Sequence, residues 1–182
     1  MEIKKPKIIF YGGKQAGMVI LLTLLAKKYD IAFVCPEDDI VRNIAYNFNI
    51  QIIGKEHIND QFMPDLIFAE GITLFICCHG KQKINPDILN SCTCINVHPC
   101  LYVYKGANPI KKLIIDKNTH ASIGVHYMVN KIDDGELIIE KSVDIKLGTV
   151  EEVYNQLYPT YMKTIIKALN IMGDGKNGSN QR

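Results

Sequence analysis

IIFYGGKQAGMVILLTLLAKKYDIAFVCP, residues 8–36, decides the fold, because its hydrophobic pattern changes period along its length. Residues 8–11 are continuously apolar, as in a strand buried on both faces, and Gly12 with Gly13 lets the chain turn. Across 15–29 the side chains of Met18, Leu21, Leu22 and Leu25 recur at helical spacing. Residues 31–35 return to a strand pattern. Pro36 and Asp38 then start a second helix, which carries Ile40, Ile44, Ala45 and Phe48, and residues 50–53 form a third apolar run. A strand, helix, strand, helix, strand order leaves few arrangements: parallel strands joined by right-handed crossovers, with helices on both faces of the sheet.

Working outward, a less regular helix is expected near 58–62, and the continuously apolar segment 73–78 predicts a further central strand. Residues 94–97 predict the next, and His98 follows it at once, where ligands of open α/β sheets sit. Residues 108–115 read as a helix with Pro109 in its first turn. Residues 122–128 and 137–143 read as an antiparallel strand pair around the turn Asp133-Asp134-Gly135. The span 151–169 places Val153, Leu157, Ile165 and Leu169 at helical spacing, and Pro159 is expected to kink or split that helix. From Gly173 the Gly, Asn and Ser content predicts a mobile tail. The expected fold is α/β, a Rossmann-like, mostly parallel sheet with antiparallel strands added in the C-terminal half: one domain over 1–172, then a disordered tail over 173–182.

Composition narrows the function classes. With 47% hydrophobic and 22% charged residues the chain has the balance of a soluble globular protein. The longest apolar stretch, 18–26, is interrupted by Thr23 and falls far short of the roughly 20 residues that cross a bilayer. The charged residues 2–7 do not suit a secretion signal, so the expected compartment is cytoplasmic, with no membrane partner. A net charge of +2 with interspersed signs gives no field for nucleic acid, though it is compatible with an anionic small molecule. The six cysteines form no C-x-x-C pair and lie mostly in apolar runs, so neither a metal site nor a disulfide framework is expected.

Chemistry concentrates in four ordered pieces: Ile95-Asn96-Val97-His98-Pro99, Gly106-Ala107-Asn108-Pro109, Gly124-Val125-His126-Tyr127-Met128 and Ile132-Asp133-Asp134-Gly135. In a strand, residues i and i+2 share a face, so Asn96 and His98 can address one pocket. A carboxylate at Asp133 could then hold the imidazole charged or orient its tautomer. An amide, an imidazole and a carboxylate without a nucleophilic serine or cysteine suit acyl transfer directly to a substrate amine. Asn96 and a protonated His98 would donate to the developing oxyanion, and Asp133 would help collect the amine proton. One such donor can contribute roughly 3 to 4 kcal/mol to the transition state.

These pieces resemble the catalytic segment of the folate-dependent formyltransferases, whose signature is Asn-x-His-Pro, a glycine-ended loop, a Gly-x-x-His-like strand and an Asp-x-Gly turn. The likeness runs over 8–145 and is strongest over 95–135. It implies Asn96, His98 and Asp133 as a catalytic triad and N10-formyltetrahydrofolate as co-substrate. By the same resemblance Gln82, Lys83 and Ile84, with the 128–133 loop through Met128 and Ile132, would flank the pterin. Gly13, Tyr104, Gly106 and Asn108 are the candidate contacts for the acceptor. Two departures stand out: Cys100 occupies a position where the family commonly has serine, and the loop from His98 to Gly106 is a residue shorter, with Tyr102-Val103-Tyr104 in place of a Leu-Pro stretch.

Each residue also has a plainer reading. Asp-Asp-Gly is ordinary turn chemistry, a lone His98 would be a structural histidine, and Gly12-Gly13-Lys14 lacks the spaced glycines of a phosphate fingerprint and reads first as a tight turn. The order and spacing of the four pieces decide for catalysis, while His126 alternates along a strand and is at best balanced between a structural role and substrate contact. Among acceptors, the segment Tyr104-Lys105-Gly106-Ala107-Asn108-Pro109 looks most like the sugar N-formyltransferases, which act on nucleotide-linked amino sugars. A tRNA acceptor lacks its usual second domain in this sequence, and a glycinamide ribonucleotide acceptor lacks its usual Gly-Ser-Asn loop. The ribonucleotide reading remains the alternative, together with a catalytically idle α/β ligand-binding module. A homodimer stays open as the assembly.

Overall fold

The computed structural model describes residues 5–178, with side-chain surroundings given for 5–174. Its first half follows the period changes: β1 (Lys7–Gly12), α1 (Lys14–Ala26), β2 (Asp30–Pro36), α2 (Asp39–Asn47) and β3 (Gln51–Ile52). Asp38 caps α2 by accepting the amide hydrogen of Val41 at 3.2 Å, and it also accepts that of Lys14, so one carboxylate ties two loops together. A single 3₁₀ turn (Lys55–His57) precedes α3 (Met63–Ala69), so the helix expected near 58–62 begins later, at Met63 with Pro64 in its first turn. Then come β4 (Leu74–Cys78), a short α4 (Pro86–Ser91) that the sequence pattern did not suggest, β5 (Thr93–Pro99) and α5 (Pro109–Ile115). The chain closes with β6 (His120–Tyr127), β7 (Leu137–Asp144) and α6 (Val150–Gly178).

The seven strands form one sheet in the order β3-β2-β1-β4-β5-β6-β7. Strands β1 to β5 run parallel, and β6 and β7 are added antiparallel. The chain builds outward from β1 to β3, then returns to place β4 on the other side of β1, which creates a switch point at the carboxyl ends of β1 and β4. Alternation along β1 divides the core. Ile8 and Phe10 pack with Ile20, Leu24, Leu157 and Ile165 on one face, while Ile9 and Tyr11 pack with Met63, Ile67 and Ile88 on the other.

Pro159 does not break α6, which runs as a single helix from Val150 to Gly178. The reason is packing. An interior proline costs about 3 kcal/mol, whereas Val153, Leu157, Tyr161 and Ile165 are fully buried around it, each contributing roughly 1.5–3 kcal/mol. The helix also extends past Gly173, where composition led us to expect a tail; residues 179–182 lie outside the described residues. Among the described residues no helix is long and apolar enough to cross a membrane.

Candidate active site

A cavity of about 460 Å³ opens at the carboxyl ends of β4 and β5, beside the switch point. Lys14 enters it from the start of α1, His79 and residues 80–84 from the end of β4, and Asn96, His98 and Pro99 from β5. Asn108 and Pro109 come from the start of α5, and Met128, Val129, Ile132 and Asp133 from the β6–β7 connection. Several of these residues have left-handed backbone: Lys14, His79, Asn108 and Asp133 all have φ between 53° and 60°. Such conformations are uncommon outside glycine and cluster at functional sites.

Asp133 is the centre of the polar cluster. Its Oδ1 accepts a hydrogen bond from Asn96 Nδ2 at 3.2 Å, and its Oδ2 accepts the Gly106 amide hydrogen at 2.8 Å and lies 3.1 Å from His98 Nε2. Gly106 serves twice, since its carbonyl also lies 3.1 Å from His98 Nε2. Its φ of +80° turns both backbone groups toward the site, a conformation that favours glycine. Burial by itself would raise the Asp133 carboxyl, but hydrogen bonds from His126 and His98, with the charge interaction of His98, outweigh it and hold the group well below the usual carboxylate range. Asp133 therefore stays ionised.

His98 has its Nε2 engaged by Asp133 and Gly106, while its Nδ1 is buried without a hydrogen-bond partner among the described residues. An unpaired buried ring nitrogen carries a desolvation cost, which is the condition expected of a group that finds its partner in a bound molecule. Asn96 and His98 do share a face, as the i, i+2 spacing predicted, but both are turned onto Asp133 here. Catalytic hydrogen bonds commonly reorganise on substrate binding.

His126 belongs to the same cluster. It is 2% exposed, its Nδ1 donates to the Tyr127 carbonyl at 2.8 Å, and its Nε2 lies 3.4 Å from Asn96 Nδ2 and 3.5 Å from Asp133 Oδ1. With Nδ1 committed as a donor, the neutral ring presents Nε2 as an acceptor to Asn96; the imidazolium would instead donate to Asp133. Strand alternation alone does not place this residue at the site. The missing signal was cross-strand register: Asn96 pairs with His126 across the antiparallel β5–β6 ladder.

The remaining expectations divide by position. Gln82, Lys83, Ile84, Met128 and Ile132 line the cavity, as do Gly106 and Asn108. Two do not. Tyr104 is buried in the main core and donates its hydroxyl to Asp116 at 2.8 Å, because the short loop after β5 folds it inward, away from the cavity. Gly13 is packed under Glu37 and Asp38 with its amide bonded to the Cys78 carbonyl at 3.2 Å, so Lys14 reaches the cavity in its place.

Cys100 is fully buried in the main core, outside the cavity lining, and burial raises its thiol so that it is not a thiolate nucleophile. Cys100→Ser is accordingly expected to melt at a lower temperature than the parent, since burying a hydroxyl costs about 1–3 kcal/mol. Thermal melts of the variant and its parent check this.

Fold and cluster together define an open α/β-sheet protein with a ligand cavity at its strand ends, built around a carboxylate that gathers an amide and two imidazoles. The chain belongs to the formyl transferase family, whose model matches residues 50–169. The methionyl-tRNA formyltransferase of Staphylococcus epidermidis is 26% identical over 181 residues, covering 90% of this chain and 58% of that protein. The chain thus spans little more than half the length of such relatives. Among solved structures, the phosphoribosylglycinamide formyltransferase of Campylobacter jejuni superposes with a TM-score of 0.74 at 20% identity, over 92% of this chain and 96% of that one. A Mycobacterium tuberculosis protein provisionally described as a sugar N-formyltransferase gives 0.71 at 20% identity, over 93% and 68%. At these identities the structural likenesses speak for the fold.

Proposed function

We propose that the chain catalyses transfer of a formyl group from N10-formyltetrahydrofolate to a primary amine, with Asn96, His98 and Asp133 as the catalytic residues. The observation that carries this reading is the cluster itself: an ionised, buried Asp133 holding Asn96 and His98 together at the edge of the cavity. The amine nitrogen attacks the formyl carbon, a C–N bond forms, and the carbonyl oxygen gains negative charge. Asn96 Nδ2 and an N–H of His98 turn from Asp133 toward that oxygen, where hydrogen bonds strengthen as charge develops. The amine loses a proton toward Asp133, directly or through water; collapse then breaks the bond to N10, which takes up a proton. Formylated amine and tetrahydrofolate are the products. Residues 82–84 with Met128 and Ile132 form the wall proposed for the pterin, apolar at Ile84, Met128 and Ile132 and supplied with backbone groups for hydrogen bonding.

For the acceptor we propose a nucleotide-linked amino sugar, held on the side of the cavity formed by Lys14, Gly106 and Asn108. Lys14 lines the cavity on that side and would suit a phosphate of a nucleotide. A methionyl-tRNA acceptor is the second reading, favoured by the identity to such enzymes in sequence. The test mixes the protein with N10-formyltetrahydrofolate and, in separate arms, nucleotide-linked amino sugars, glycinamide ribonucleotide and methionyl-tRNA, following tetrahydrofolate release by absorbance. Release dependent on an amino sugar supports the full proposal, and release with another acceptor replaces its final term. No release in any arm, with folate binding intact, favours an idle binding module.

A further inference from the structure

We propose that the buried pair Tyr11 and Glu37 is a positioning device that fixes the cavity wall at 80–84 and thereby sets folate affinity without touching folate. The inference rests on the reading above that folate lies against this wall. The wall is a connection between β4 and α4 with no regular secondary structure, so its backbone groups need partners from elsewhere. Three amide contacts supply them. The Tyr11 hydroxyl oxygen accepts the amide hydrogens of Lys81 at 3.0 Å and Gln82 at 2.9 Å, and Glu37 Oε1 also accepts that of Lys81 at 2.9 Å. Tyr11 in turn donates its own hydroxyl hydrogen to Glu37.

Neither group is needed for the core. Tyr11 is fully buried between β2 and β4 with Phe75 beside it, a position a phenylalanine would fill equally well. Burying a hydroxyl and a carboxylate is costly unless each is fully bonded. Here the acceptors are used by the loop. Burial, reinforced by Glu37, pushes the Tyr11 hydroxyl upward, so it remains a donor to the carboxylate at neutral pH. Glu37 has its counter-charge in Lys55, whose Nζ lies 3.6 Å from Oε2 and 3.1 Å from the Glu37 carbonyl; the Lys55 carbonyl then accepts Gln82 Nε2 at 2.8 Å. At the far end of the loop Asn59 donates to the Lys83 carbonyl at 2.9 Å and accepts the Asn85 amide hydrogen at 2.8 Å. Contact is close: a Cβ added to Gly80 would lie 2.2 Å from Tyr11 Cε1, so the loop packs directly against the ring. Tyr11, Glu37, Lys55 and Asn59 are all absent from the cavity lining, whereas residues 80–84 form part of it. The network acts on a ligand only through the loop.

The test compares the parent chain with Tyr11→Phe, Glu37→Gln, their combination, and Asn59→Ala, which loosens the same loop from a half-exposed position. Binding of 5-formyltetrahydrofolate, a stable folate that does not transfer its formyl group, is measured by calorimetric titration, and exchange of the Lys81 and Gln82 amide hydrogens by NMR. Loss of a hydrogen bond to a buried acceptor should weaken folate binding roughly tenfold in each single variant. The double variant should be no weaker than the worse single one, because both act on one loop. Exchange at Lys81 and Gln82 should quicken while the remaining amides keep parent protection. Parent-like folate affinity in Tyr11→Phe and Asn59→Ala overturns the positioning role and leaves the proposed function standing. Failure of the parent chain itself to bind folate removes the reading on which the inference rests. Should Tyr11→Phe lose its fold, Glu37→Gln decides for the pair, with parent-like folate affinity in that variant overturning the role.

Discussion

His98→Ala is expected to fold as the parent does and to lose the proposed formyl-transfer turnover by about 10² to 10³. The side chain is largely buried, yet it belongs to neither apolar core cluster, and its nitrogens are spent on the site: Nε2 on Asp133 and Gly106, Nδ1 on no protein group among those described. Its removal should therefore cost transition-state stabilisation more than packing. Folate affinity should be kept within a few-fold, so the loss falls on kcat, the signature of an interaction strongest in the transition state. Asn96→Ala should behave in the same way as the companion donor. Single-turnover rates with saturating folate, alongside circular dichroism, check the pair. Near-parent turnover in a folded His98→Ala would sink the mechanism.

Asp133→Asn should be crippled to a similar or greater degree, roughly 10³-fold or more, as is seen when an ionised carboxylate that orients an imidazole is neutralised. The carboxylate accepts from Asn96 and Gly106 and faces His98 and His126, so an amide in its place turns one acceptor into a donor and scatters the cluster. The adjacent Asp134 is the control. It pairs with Lys105 and Lys131 at 3.2 Å on the surface, and Asp134→Asn should stay near parent turnover. The reverse pattern would place the motif one residue out of register. Stability carries a second signature. The folded Asp133 carboxyl is held below its ordinary value near 3.9. Its contribution is thus fully present above about pH 4 and fades as pH falls below that. Between pH 4 and pH 2 the parent should lose stability more steeply than Asp133→Asn, which urea titrations at stepped pH will measure.

Much of the fold was legible because its cause is local. Short continuous apolar runs bounded by turn residues read as strands buried on both faces, and their alternation with helical spacing leaves a parallel sheet as the economical solution. The i, i+2 spacing put Asn96 and His98 on one face before any partner was known. Where cause was not local, the sequence misled. Proline rules expected a kink or a split at Pro159, and the helix is not split, because burial of Leu157 and Tyr161 beside it outweighs a single lost backbone bond. Proximity in sequence groups Tyr104 with Gly106 and Asn108, yet the shortened loop carries its ring into the core. By itself, then, the sequence determined the order of the strands and of the longer helices, the strand that presents Asn96 and His98, and the turn that carries Asp133, since each follows from periodicity or turn chemistry within a few residues. The tertiary structure alone decided that His126 joins them across the β5–β6 ladder and that Tyr11 and Glu37 reach the amides of 81 and 82. Those contacts join residues from 26 to 71 positions apart, and only the closed sheet brings such partners within a hydrogen bond's reach.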